Sequence, residues 1–458
     1  MGMDDIMTPS LAHRAMAEDW QLCRALLGGT KTMRAAGETF LPRYPAEPLP
    51  DYKIRLRRAV LTNYYAQTVR HLVGKAFSKP LALQDDVPPQ LVEWCEDVDL
   101  QGTHFNAFAA EVFQEALGVG LTGILVDFPK QVQGVSLAEE RASGARPYMT
   151  MLPVETILGV RTAGQAREIQ MARLLENSIE ADGDFGEKIV KRVRVLYPGG
   201  YALYQETKDG EYAVVEEGTM SIGRVPLVPV YGLKVGTWHG SPPLLDLAYK
   251  NVQHYQMDSD LSNALQVACF PILAASGYDQ DRDPTIKVGP NIVLATGDPQ
   301  GKFYYVEHSG TAINTGRQKL EDLKADMATE GIQSLMPRAN GDVTATETQV
   351  KYAESTSDLQ RMAFALKDSL ENALMLMAEW VGLPDGGSIE LRGQFVLPRD
   401  AATEAQALIA LRSAGEITSR TLLSELKRRD FLPDDFDVEG EQELLAMEGP
   451  GPGYEVGQ

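Results

Sequence analysis

The sequence predicts an α+β fold that is mainly helical, and three observations carry that prediction. Apolar residues recur at three- and four-residue steps from 346 to 381, where Leu359, Met362, Ala363, Leu366, Leu370, Ala373, Leu374, Met377 and Val381 line one face of a long helix. A second helix of about seven turns is read over residues 242 to 268, introduced by Ser241-Pro242-Pro243 and stopped before Pro271. Between Pro147 and Tyr231 the period shortens to strand-like alternation, as in "KIVKRVRVLYP", which predicts a small, mainly antiparallel sheet.

Taken in order, residues 9 to 27 form the first helix, a Pro-rich connection runs from Gly37 to Pro50, and a second helix continues to about Val73. Thr103 is read as the cap of a third helix, whose apolar face of Phe105, Phe108, Val112, Phe113 and Ala116 ends at Gly118 and Gly120. "TGILVDF" is a short strand closed by Pro129. Within the sheet, "YALYQE" and "EYAVVEE" flank the turn Lys208-Asp209-Gly210, and "RVPLVPVYG" adds a further segment.

After the 242–268 helix comes a β-like insert, 270 to 308, with "PILAASG", "NIVLA" and "FYYVEH". Helices over 311–335 and 346–381 are separated by Pro337 and the turn Asn340-Gly341-Asp342, and Thr344 with Glu347 makes a capping box. A strand-like "SIELRGQFVLP" leads to helices over about 400–414 and 418–429. The latter takes Thr418 as its cap and Leu422, Leu423 and Leu426 as its apolar side. The stretch from Asp434 to Glu443 is acidic, and "GPGPGYEVGQ" reads as disordered.

The 242–268 helix carries an unusual pattern. Its first half offers Leu244, Leu245, Ala248, Val252 and Tyr255, and its second half shifts to Met257, Leu261, Leu265 and Ala268. No single apolar stripe runs its length, so different neighbours are expected to cover it along its course.

Composition narrows the class. With 44% apolar and 23% charged residues the composition is that of a globular protein, and 458 residues are enough for two or three domains. Its 43 Lys and Arg face 64 Asp and Glu, a formal charge of -21, which argues against a surface built to grip nucleic acid. Cys23, Cys95 and Cys269 are scattered and lack metal spacing, which fits a reducing compartment. "MGMDDIMTPS" has no signal-peptide core and no run reaches membrane-span length, so a cytoplasmic protein is expected when first made.

Catalytic signatures are scarce. "LLGGTKT" lacks the spacing and preceding strand of a phosphate loop, and "GVGLTG" follows a helix where a dinucleotide motif needs a strand. His254 and Asp258 are one helical turn apart, with Asp260 close by, but there is no HExxH and no second His on that face. A polar helix face bonded to a neighbour is the better reading. No enzyme activity, cofactor or metal is expected.

Several stretches carry a resemblance in a common order over about 400 residues. They are "YKIRLRRAVLTNYYAQTVRHLVGKAFSKPLAL", "EALGVGLTGILVDFP", "PPLLDLAYKNVQHYQMDSDLSNALQVACFPILAASG", "VTATETQVKYAESTSDLQRMAFALKDSLENAL" and "GEITSRTLLSELKRRDFLPDDFDVEGEQELL". Together they resemble the portal proteins of tailed bacteriophages and prophages, in a subgroup catalogued as a domain of unknown function.

The resemblance implies a ring, commonly a homododecamer, at one capsid vertex, with DNA packaged and ejected through its channel. It implies a wing over 1–241, stem helices over 242–268 and 311–336, a clip over 269–310 and a tunnel loop over 337–345. A wing helix and strand over 346–398, a crown over 399–445 and a disordered tail over 446–458 complete it. The implied partners are double-stranded DNA without sequence preference, the terminase large subunit, a head-to-tail adaptor, and major capsid and scaffolding proteins. No membrane is involved: the implied place is the virion, after assembly in the host cytoplasm.

By position, Arg338, Asn340 and Asp342 would face DNA in the tunnel loop, and Lys319 and Lys324 are candidates to face the channel. Arg282, Lys287 and Lys302 are candidates to meet motor or adaptor, with DNA as the alternative that spacing does not decide. For Lys319 and Lys324, local pairing with Glu321 and Asp322 is an equal alternative. Twelve copies would carry roughly -250 formal charge, which suits a channel that must not hold its cargo. Another head-to-tail connector or minor capsid protein is the alternative reading, and an enzyme with an unrecognised pocket a third.

Overall fold

The computed structural model describes residues 6–129, 145–164, 168–207, 210–268, 272–276, 300–306, 311–333, 345–393, 401–428, 431–432, 436–441 and 444. The chain divides into a unit from Met1 to Phe395 and a unit from Val396 to Gln458. Both helix and sheet are present, as the sequence predicts.

The first unit opens with α1 (Leu11–Leu27), α2 (Gly29–Ala36), α3 (Leu49–Arg58) and α4 (Tyr64–Ala76). Ser10 caps α1 through its hydroxyl, which accepts from His13 N. The single helix expected to run to Val73 is thus two, broken over residues 59–63. Polar groups at the break find partners: Arg34 donates to Ala59 O at 2.9 Å, Leu61 N donates to Thr30 Oγ1 at 3.2 Å, and Asn63 caps α4 at Ala66 N. Satisfied backbone makes a break inexpensive, and apolar periodicity alone cannot show it.

β1 (Ala82–Leu83) and α5 (Pro89–Trp94) precede α6 (Phe105–Val119). The cap of α6 is His104, whose Nδ1 accepts from Asn106 N at 3.1 Å, and not Thr103 as expected. The predicted apolar face is correct: Phe105, Phe108, Val112, Phe113 and Ala116 are all buried. Gly120 ends the helix at φ +94, and a Cβ there would lie 2.6 Å from Pro242 N, so only glycine lets this turn support the start of the 245–268 helix.

β2 (Leu121–Asp127) is the centre of a three-stranded antiparallel sheet, with β3 (Tyr148–Pro153) on one side and β9 (Leu227–Tyr231) on the other. Between them in sequence lies a five-stranded antiparallel meander of β4 (Ile157–Ala163), β5 (Glu168–Asp182), β6 (Gly186–Tyr197), β7 (Gly200–Glu206) and β8 (Tyr212–Thr219). Arg24 joins α1 to α6 and to the segment before β4 through Glu115 and Glu155, and Arg194 joins the two sheets through Asp127 at 2.6 Å. A hairpin of β10 (Leu233–Gly236) and β11 (His239–Ser241) delivers the chain to α7 (Leu245–Ala268).

β12 (Ile272–Ser276) and β13 (Lys302–Val306) pair antiparallel, in agreement with a β insert; "NIVLA" falls outside the described residues. α8 (Thr311–Ala328) runs into a π turn, Thr329–Gln333. α9 (Ala345–Trp380) matches the long helix expected, and Leu366, Leu370, Ala373, Leu374 and Met377 are buried against the β2–β9 sheet and its helices. The strand expected in "SIELRGQFVLP" is two residues in the described part, β14 (Ile389–Glu390), paired with β1. Thr344, of the expected capping box, lies outside the described residues.

The second unit contains α10 (Ala401–Ser413) and α11 (Ser419–Arg428), which pack on each other across a turn at Gly415. Thr418 caps α11, its hydroxyl accepting from Thr421 N at 3.1 Å. Leu422, Leu423 and Leu426 are half-buried, on the side expected. Among the described residues no helix is long and apolar enough to cross a membrane.

Candidate functional site

α7 answers the question its pattern posed. About 36 Å long, it enters the body of the first unit with its N-terminal half and leaves it with the other. Leu247, Ala248, Asn251, His254, Tyr255 and Ser259 are buried, against α1, α3, α4 and α8. From Asp260 onward the exposure changes: Leu261 and Ala268 are half-buried and residues 262 to 266 are exposed, Leu265 at 41%. The apolar set expected in the first half is shifted, because Leu244, Leu245 and Val252 are only half-buried and three polar side chains occupy the core-facing positions.

α8 accompanies α7 and turns Leu320, Leu323 and Met327 inward, spaced as one helix face. The two helices are the stalk of the β12–β13 hairpin, and among the described residues β12 and β13 pair only with each other.

Polar contacts hold α7 to the body. Asn251, fully buried, accepts from Tyr65 N at 2.9 Å and donates to Thr62 O at 2.8 Å, so it satisfies the end of the break and the first turn of α4. Farther out, Arg55 of α3 has a side chain 3% exposed and makes a two-pronged ion pair with Glu47, at 2.8 and 2.9 Å. It also donates to Pro42 O at 2.7 Å, reaches Asp260 at 3.5 Å and lies 4.4 Å from the centre of the Tyr44 ring.

Tyr44 donates its hydroxyl to Asp260, and burial followed by that hydrogen bond pushes its pKa up to about 12. The hydrogen bond from Arg55 holds the Glu47 carboxyl below the usual range. Arg58 adds a bond to Gln266.

His254, 2% exposed, lies edge-on to Tyr64 of α4 at 6.2 Å between ring centres. Among the described residues neither ring nitrogen has a hydrogen-bond partner. Burial lowers its pKa, with Asp258, Lys324 and Glu321 as the charged groups around it. Asp260 is engaged by Arg55 and Tyr44, so the structure does not gather His254, Asp258 and Asp260 on one ligand. Among the described residues no group of three His, Cys, Asp or Glu could hold a metal. Cys23 and Cys95 are buried free thiols; Cys269 lies outside the described residues.

Of the residues singled out from the sequence, Lys319 is exposed and has no ion pair among the described residues. Lys324 is half-buried and pairs with Glu321 at 3.0 Å, the local alternative, and that hydrogen bond raises its pKa. Asp322 accepts from Gln318 at 3.1 Å instead. Lys302 is exposed at the start of β13, opposite Ser276. Arg282, Lys287, Arg338, Asn340 and Asp342 lie outside the described residues.

Sequence reasoning missed the Arg55–Glu47–Asp260 group and the role of Asn251. Asn251 had a readable signal, a polar residue one turn from both Ala248 and Tyr255 on the apolar side of a helix. The Arg55 group had none, because its members are 8 and 205 positions apart.

A family model described as a domain of unknown function (DUF4055) matches residues 243–381, the span from α7 to the end of α9. No curated protein matches the chain. Among solved structures, a chain from the virion of a native gene transfer agent particle is 15% identical at a TM-score of 0.43, covering 87% of this chain and 98% of that one. A chain from the neck of the empty particle, computed with C6 symmetry, is 16% identical at 0.42, covering 80% and 89%. One from the neck of the native particle, computed with C12 symmetry, is 15% identical at 0.42, covering 86% and 98%.

Proposed function

We propose that this chain is the portal subunit of a tailed phage or phage-like particle. On this reading, copies form a ring, commonly of twelve, at one capsid vertex and pass duplex DNA without reading its sequence. The observation that carries the reading is the α7–α8 stalk. A long helix is half embedded by buried polar contacts and half exposed. α8 runs beside it, and the two helices lead to a pair of antiparallel strands whose outer edges have no partner among the described residues. Exposed helix faces and open strand edges are what a second copy covers. The ordered sequence resemblance over about 400 residues supports the same assignment.

In this role α7 and α8 are the stem, 269–310 the clip and 399–445 the crown. Lys319 is the channel-facing candidate that the fold leaves unengaged among described residues, and Lys324 serves local pairing first. Arg338, Asn340 and Asp342 form the constriction; Lys302, with Arg282 and Lys287, meets the terminase large subunit or the head-to-tail adaptor. Capsid and scaffolding proteins are contacts during assembly. The ring itself carries out no catalysis. Among alternatives, another head-to-tail connector fits less well, because it does not call for two long helices around a β insert.

The test is the mass and shape of the purified protein, by light scattering on a size-exclusion column and electron microscopy of the same peak. Rings of about twelve copies with an open centre are expected on this reading. A small closed oligomer without a channel refutes it.

A further inference from the structure

The meander holds a second feature that the stalk does not explain. β4 pairs with β5 only as far as Leu174, and β7 pairs with β6 only from Arg192 onward. Beyond those points β5 and β6 continue together to Asp182 and Gly186, with no neighbour on either edge among the described residues. The result is a ribbon that projects about 20 Å from its sheet, and residues 181 to 189 are all exposed.

Its apolar side chains face water. Ile179 and Ile189 are directly opposite in register and 69% and 70% exposed, and Phe185 at the tip is fully exposed. The isoleucine pair has the same parity as Leu175 and Val193, so it prolongs the face that covers the smaller apolar cluster at the root. A bare two-stranded ribbon is marginal in water, and exposed large apolar groups gathered on one feature mark a contact surface. Residues 180 to 187 are also acidic: Glu180, Asp182, Asp184 and Glu187 follow with no cation between them, and among the described residues only Glu180 has an ion pair, to Arg192 at 2.6 Å.

A surface of opposite character lies on α3. Lys53, Ile54 and Arg57 share its outward face, with Leu49 and Val60 near its ends. Leu49 is 48%, Ile54 41% and Val60 55% exposed. Lys53 and Arg57 have no ion pair among the described residues. In one copy the two surfaces are at opposite ends of α1: the ribbon's root holds the chain before α1, where Arg173 donates to Ile6 O and Thr8 O. The break after α3 is tied to the other end, where Asn63 donates to Leu26 O. α1, 17 residues long, separates the ribbon's root from that break by about 25 Å.

We propose that the 175–191 ribbon of one copy docks on α3 of the next, with Ile179, Ile189 and Phe185 against Leu49, Ile54 and Val60, and Asp182, Asp184 and Glu187 beside Lys53 and Arg57. The occupant is a second copy because the same chain supplies both complementary surfaces, and because the ribbon's acidity repels nucleic acid and anionic lipid alike. Two different surfaces in contact make a head-to-tail interface, which closes into a ring when the rotation allows. The inference rests on the ring reading and names the contact between neighbours.

The experiment is a charge swap followed by mass photometry across a concentration series. Asp182→Lys/Asp184→Lys and Lys53→Asp/Arg57→Asp are each expected to raise the concentration for half-assembly by tenfold or more, and the four substitutions together are expected to restore it to within about threefold of the wild type. All four positions are exposed, so circular dichroism and thermal midpoints stay unchanged; Phe185→Ser tests the apolar part with no change of charge and is expected to weaken assembly too. Rings that persist in both charge-reversed variants overturn the contact and leave the ring reading standing. Assembly lost in both and not restored in combination also overturns it, and a wild-type chain that never assembles overturns both.

Discussion

Replacing Arg55 with Met is expected to loosen the outer half of α7. The guanidinium, 3% exposed, donates to Glu47 at 2.8 and 2.9 Å and to Pro42 O at 2.7 Å, so its loss strands a carboxylate whose side chain is 9% exposed. Met fills the space of the aliphatic stem and isolates the electrostatic part. Breaking a buried ion pair costs about 3–5 kcal/mol, and the lower end, about 3 kcal/mol, is expected here. The reason is that Asp260, 47% exposed, opens one edge of the group to water.

The assay is urea unfolding followed by intrinsic fluorescence, with hydrogen exchange rising over residues 40–48 and 256–266. Arg55→Met/Glu47→Leu removes both charges and is expected to recover most of the loss. A single variant that costs less than about 1 kcal/mol, or a double variant no better than the single, refutes the reasoning. The pH dependence has a definite sign. Glu47 is held below the usual glutamate range, so its contribution is full above about pH 4.3 and is lost as pH falls through the lowered folded value. Arg55→Met flattens that acid limb.

Three further outcomes are expected. Asn251→Leu leaves Tyr65 N and Thr62 O without their side-chain partner and costs about 2–4 kcal/mol in the same unfolding assay, with faster exchange at the start of α4. His254 has its pKa lowered by burial. Stability is therefore full above about pH 6.5 and declines on acidification toward the folded value, by at most about 1.4 kcal/mol per pH unit from this group; His254→Phe removes that slope. Lys319→Ala changes stability by less than about 0.5 kcal/mol and Lys324→Ala by less than about 1 kcal/mol. On the portal reading, any defect either shows in DNA packaging then reports on the proposed channel and not on folding.

Local pattern determined much of this chain. The apolar repeat of α9, the buried face of α6, the strand at 121–127, the antiparallel character of 148–231 and the cap at Thr418 are all consequences of residues within a few positions of one another. The period of burial and the chemistry of a cap are written over three or four residues. The drift of apolar residues along α7 likewise announced that its neighbours change, though not that Asn251, His254 and Ser259 are what it buries.

Only the tertiary structure decided the rest. The break between α3 and α4 exists because Arg34, Thr30 and Asn251, distant in sequence, satisfy the backbone there. Asp260 serves Arg55 and Tyr44, because α3 packs across α7 at that point. The projecting ribbon follows from where β4 and β7 end, since register and strand length are settled by pairing. Hydrogen bonds and ion pairs across tens or hundreds of positions leave no periodic trace, so they become visible only when the elements that carry them have met.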